Sequence, residues 1–268
     1  MIEPFQYEFM RNALIAGIVL SGFAACLGPF IVQRKMAFMG SGLAHAAFGG
    51  VALGLLIDFS PIITALFFTQ LVAFLIVWLE HRSKLSSDTI IGVLFSTAMA
   101  LGIIFLSMRE EYGADAFSYL FGSVLTITFN DMPLQFFLLL MAGIVGSGYW
   151  HRWAYATFDR KSAEVELGKK VRSDDYALAF FIAFVTVFAI ELIGVLLVSA
   201  FLVLPAAAAR LVSRSFAQMT LLTFIISAIS VVVGLISSYH LDAPSGPCIV
   251  LAQAGLFGAC FSVGMRRG

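Results

Sequence analysis

Few side chains in this sequence could do chemistry, and the clearest of them sits where a polar group is expensive. His45 lies in a long apolar run, ten residues after Lys35. In a helix it would stand about 15 Å from that lysine, near the middle of a membrane, with Ser41 one turn away on the same face. A neutral imidazole is a good ligand for zinc and other late transition metals. It can equally hydrogen-bond a neighbouring helix, and the residues alone leave both readings open. A second cluster is YHLDAPSGP, residues 239–247. His240 and Asp242 could together receive a divalent cation, with Pro244, Ser245, Gly246 and Pro247 opening backbone beside them. An ordinary polar turn accounts for the same residues. Glu191, towards one end of an apolar run, is a third candidate, and an interfacial position or pairing with Arg109 is its alternative.

The elements that must position these residues are membrane spans. Hydrophobic residues make up 60% of the 268-residue chain and charged residues 12%. The apolar runs last about twenty residues, the length that crosses a hydrocarbon layer of roughly 30 Å. The fold class expected is an all-α, polytopic helical bundle forming a single transmembrane domain over 1–268. Nine spans are expected, at 12–33, 38–57, 61–80, 88–108, 133–153, 175–192, 194–213, 217–238 and 246–265. The stretch 175–213 is too long for one helix and is divided near Ile193–Gly194. Fourteen of the sixteen Lys and Arg residues then fall in one alternating set of connections, leaving Arg11 and Arg109 in the other. The positive-inside rule places the first set in the cytoplasm, with the N-terminus outside and the C-terminus inside. MIEPFQYEFMRN lacks the basic start of a cleaved signal peptide, so the first span is expected to be retained.

Small residues recur every four positions along the first span (Ala13, Gly17, Ser21, Ala25) and at Gly50 and Gly54 in the second. Such spacing lets helix backbones approach in lipid. Cys26, Cys248 and Cys260 read as buried thiols, with neither disulfide nor zinc-knuckle spacing. Two connections exceed a tight turn. Residues 109–132 contain SYLFGSVLTIT and are expected to hold a short helix at the outer surface. Residues 154–174 are expected to form a short amphipathic helix ending near Gly168, followed by a basic return. That segment reads either as a solvated loop supplying topogenic charge or as a docking element for a cytoplasmic partner. No GxxxxGK[ST] is present, so the chain has no ATP site of its own. HExxH and GxSxG are also absent, which argues against a membrane hydrolase, and the few intramembrane acids argue against a proton-coupled carrier.

Four segments carry a resemblance that covers nearly the whole chain: GPFIVQRKMAFMGSGLAHAAFGGVALG (28–54), SYLFGSVLTIT (118–128), ELIGVLLVSAFLVLPAAAARL (191–211) and YHLDAPSGPCIVL (239–251). In content, order and spacing they resemble the membrane subunits of bacterial zinc/manganese ABC importers, the ZnuB-type (ABC-3) permeases. The resemblance implies a fold like that of the vitamin B12 and siderophore importer permeases, with two copies packed around one pathway in the bacterial cytoplasmic membrane. It implies a metal-binding protein docking outside, a separate ATPase dimer binding ATP inside, and transport without covalent chemistry. It makes 154–174 the coupling segment, with Phe158, Asp159, Glu164 and Gly168 at the ATPase. His45 matches the histidine of the family's Gly-Asp-x-x-x-His segment, which is thought to contact metal in transit. The acid expected one turn earlier is Ser41 here. Losing that carboxylate should weaken an intramembrane site and tilt it towards zinc over manganese. Zn2+ is thus the expected cargo, with Mn2+ or Fe2+ the alternative. A stand-alone channel or secondary carrier is the rival of another class.

Overall fold

The computed structural model describes residues 6–109, 132–193 and 195–265, apart from the side chains of 132–143, 145, 191–193, 196 and 197. Ten helices and no strand occur among the described residues. They are α1 (Glu8–Gln33), α2 (Met39–Leu56), α3 (Pro61–Arg82), α4 (Ser87–Ser107), α5 (Met132–Phe158), α6 (Arg160–Leu167), α7 (Lys169–Ile193), α8 (Val195–Val212), α9 (Phe216–Leu241) and α10 (Ser245–Met265). Seven of them, α1–α4, α7, α9 and α10, are long and apolar enough to cross a membrane, against the nine spans expected. The apolar part of α8, Val198–Val212, is shorter, and most side chains of α5 lie outside the described ones. Residue 194, near which the stretch 175–213 was expected to divide, lies outside the described residues, between α7 and α8.

Local signals explain the helix ends. Pro61 opens α3, where a missing N–H costs nothing. Ser86 caps α4 by accepting the Thr89 N–H, and Ser215 caps α9 by accepting that of Gln218.

Two compact units divide the chain. One comprises Met1–Gln33, Ser123–Gly146 and Ala200–Gly268, and the other comprises Arg34–Gly122 and Ser147–Ser199. In the first, α9 packs against α1 and α10. Gly17 of α1 lies against Val231, and Gly234 of α9 lies against Ile249, where an added Cβ would come within 2.5 Å of the Ile249 Cα. The four-residue repeat on α1 is therefore a helix contact, and all four of its members are buried. Three buried hydroxyls in this interior donate to the carbonyl four residues earlier, Ser21 to Gly17, Thr223 to Met219 and Ser230 to Ile226. That satisfies a donor where there is no water.

In the second unit α2 is the central helix, packed on α3, α4 and α7. Its glycines are the reason. A Cβ on Gly50 would meet the Ala65 Cα at 2.5 Å, one on Gly49 the Ala98 carbonyl oxygen at 2.8 Å, and Gly54 abuts Thr64 and Pro61. These close approaches hold α2 rigidly among its neighbours, and His45 with it. The three cysteines correct one expectation: Cys26, Cys248 and Cys260 are free but half-buried.

Candidate functional site

His45 is half-buried on α2. Its Nδ1 stands 2.8 Å from the carbonyl oxygen of Ser41, one turn earlier. A carbonyl only accepts, so in the neutral ring Nδ1 carries the proton and the Nε2 lone pair is left for a ligand. The ring meets Phe95 edge to face, with centroids 4.6 Å apart. Ser41 thus orients the imidazole through its backbone. No three His, Cys, Asp or Glu side chains come together among the described residues, so no multidentate metal cage is seen there. A single imidazole alone would be a weak metal site.

The other sequence candidates divide. Asp242 ends α9 in the left-handed region (φ 49°, ψ 42°), its N–H bonded to the Ser238 carbonyl. Aspartate is one of the few residues that visits that region readily. His240 is exposed and edge-on to Tyr239. The bends of 239–247 are thus those of a helix terminus, as in the turn reading. The Glu191 side chain and the segment 118–128 lie outside the described residues. Arg109, the alternative partner for Glu191, stands 3.6 Å from Asp58, and its pairing with Glu191 falls outside the described side chains.

The connection at 154–174 is mostly helical: it contains a short helix as expected, and its basic return is the start of the next helix rather than a loop. Helix α5 runs on to Phe158, and Lys169, Lys170 and Arg172 form the start of α7. Between them stands α6, the short helix expected to end near Gly168. Asp159 caps it by accepting the Ser162 N–H at 3.1 Å. Bonds from the Ser162 hydroxyl and N–H hold the Asp159 carboxyl below its usual range. Gly168 closes the helix at φ 56° and ψ −128°, a conformation essentially reserved for glycine. Glu164 pairs with Arg160 at 3.0 Å on the same helix. Ala163 is buried against Ala156 and Val171, with Tyr155 and Leu167 packed beside them. Val165 is 87% exposed and Phe158 61%. A capped, footed helix therefore holds Val165 outward, next to Phe158 at the end of α5.

Beneath α6 lies a cluster that sequence reasoning missed. Asp175 on α7 receives Arg34 at 2.8 Å, Arg160 at 2.7 Å and His81 at 3.1 Å. Arg34 also donates to Thr157 and to the Trp153 carbonyl. Burial lowers the Arg34 pKa, and Asp175 opposes that. Arg172 donates to His81 Nδ1, so the other ring nitrogen carries the proton towards Asp175. Asp174, next along, pairs with Arg152 at 2.8 Å. A cavity of about 390 Å³ opens onto Arg34, Glu80, His81, Arg160 and Asp175. The sequence carried only a slight signal, Asp174–Asp175 at the edge of an apolar run, and the basic residues next to them, Lys169, Lys170 and Arg172, are not the ones that meet Asp175.

Comparison with known proteins follows this geometry. The chain is 32% identical over 252 residues to the high-affinity zinc uptake system membrane protein ZnuB of Haemophilus influenzae, covering 94% of this chain and 96% of that protein. It is 33% identical over 272 residues to the manganese import system permease protein ScaB of Streptococcus gordonii, covering 100% and 97%. Among solved structures it superposes on a chain of PsaBC from Streptococcus pneumoniae in complex with Fab with a TM-score of 0.84, at 32% identity, covering 97% of this chain and 94% of that one. The family model described as the ABC 3 transport family matches residues 6–264, and the chain belongs to that family.

Proposed function

We propose that this chain is the membrane-spanning permease of an ATP-driven importer that brings divalent transition metal, zinc first, into the cytoplasm. Two copies would surround one pathway. A separate ATPase would dock on α6 from the cytoplasm, and an extracytoplasmic protein would deliver the ion. The observation that carries this reading is α6 itself. Eight residues are too few to form a stable helix unaided. Here they are capped at both ends and seated on Ala156 and Val171, with Val165 and Phe158 facing outward. Such a helix suits insertion into a cleft of a partner. His45 supplies one oriented imidazole along the path, with no carboxylate one turn before it. That donor set favours zinc. Relatives named for manganese as well as for zinc keep manganese as the second reading.

The test is co-purification. The tagged chain should bring down a cytoplasmic ATPase from cells. Val165→Glu, at an exposed position where a charge costs the fold little, should release it. Retention of the ATPase by that variant would remove α6 as the docking element. Absence of any ATPase from the unaltered complex would favour a stand-alone channel or carrier.

A further inference from the structure

Resting on the reading of α6 as the ATPase-docking helix, we propose that Asp175 is the positioning residue through which displacement of α6 reaches the ends of the neighbouring membrane helices. The apolar footing of α6 is small, namely Ala163 over Ala156 and Val171. Its strongest described link to the rest of the unit is Arg160, the first residue of the helix, bound to both oxygens of Asp175 at 2.7 and 3.4 Å. Bidentate guanidinium–carboxylate pairs fix direction as well as distance.

Asp175 does not serve Arg160 alone. The same carboxylate takes His81, in the last turn of α3, and Arg34, the residue after α1. Arg34 in turn grips the end of α5 through Thr157 and the Trp153 carbonyl. One acid on α7 therefore joins α6 to α3 and, through Arg34, to α5. The Asp175 side chain is only 9% exposed, so these bonds are poorly screened by water, whereas Arg160 is 46% exposed and reaches in from α6. Three cationic or donor groups from three segments on one carboxylate form a junction. It lies at the foot of the helix that a partner would push.

The experiment compares hydrolysis with transport in the whole complex. Arg160→Gln cuts the link between α6 and the junction while leaving Arg34 and His81 on Asp175. Asp175→Asn removes the charge that gathers them. For each variant, ATP hydrolysis is measured on the purified permease–ATPase complex in nanodiscs. Accumulation of radioactive zinc and of radioactive manganese is measured in cells at matched expression. The expected result for Arg160→Gln is an assembled complex that hydrolyses ATP within about twofold of normal but accumulates at least tenfold less metal per ATP. Asp175→Asn should show the same uncoupling. If Asp175→Asn fails to assemble, Arg160→Gln decides alone. Normal metal per ATP in Arg160→Gln would overturn the proposal. So would equal losses of hydrolysis and uptake, which would mark a merely structural pair. The docking reading fails separately, if Val165→Glu keeps the ATPase bound.

Discussion

Helices α2 and α6 hold candidate functional groups in opposite ways. α2 lies deep in its unit, and glycines let α3 and α4 come within backbone contact of it. Its one ionisable side chain, His45, is held by a single bond to a backbone carbonyl. α6 is short and polar. Side chains cap it, glycine closes it, and ion pairs drawn from α3, α7 and Arg34 converge beneath it. The difference follows from the two environments. In the apolar interior each added ligand would cost free energy and would retain the ion, so sparseness favours passage. At the polar end a short helix has no apolar face large enough to fix it. Direction then comes from hydrogen-bonded charge.

The largest expected effect breaks the α2 side. Gly50→Leu would drive a side chain into Ala65 and Phe68, and overpacking of backbone on backbone should cost about 3 kcal/mol or more. The check is loss of monodisperse protein and a lower unfolding temperature in detergent. The corresponding break at α6 is milder. Gly168→Ala meets no atom within 4 Å, so only the backbone conformation is penalised, by about 1–3 kcal/mol. Partial proteolysis should then cut near 168 while the rest of the chain stays folded.

Two further variants sharpen the contrast. Ser41→Asp places a carboxylate one turn before His45. It is expected to tighten ion retention and to raise manganese relative to zinc uptake several-fold in paired isotope assays. An unchanged ratio would separate selectivity from this site. The smallest effect concerns pH. The Asp159 carboxyl lies below its ordinary value in the folded protein. Its cap therefore supports α6 at pH above the unfolded carboxylate range and is lost as pH falls through the lowered folded value. The protection factor of the Ser162 amide, its exchange rate corrected for the intrinsic pH dependence, should fall on acidification in the unaltered chain and much less in Asp159→Asn.

How far the sequence could be read follows the same division. Apolar runs and the glycine at the end of α6 were legible because each is a local signal. The small-residue spacing on α1 and at Gly50 and Gly54 correctly marked close helix contacts. The Asp175 junction was not legible, because Arg34, His81 and Arg160 are far apart in sequence and each reads as topogenic or surface charge alone. The start of α7 was placed late because helical hydrogen bonding continues beyond the apolar stretch, through Lys169, Lys170 and Arg172. His45 was legible as a polar group at depth, but the carbonyl that orients it was not, since backbone partners leave no mark in a sequence.

The central claim is that this chain carries metal inward at the expense of ATP. The most direct test is accumulation of radioactive zinc and manganese in metal-limited cells with the chain, without it, and with His45→Ala at equal expression, each before and after ATP depletion. The account predicts zinc uptake that needs the chain and ATP, and that falls at least tenfold in His45→Ala. Uptake that survives ATP depletion, or that is indifferent to the loss of His45, would contradict it.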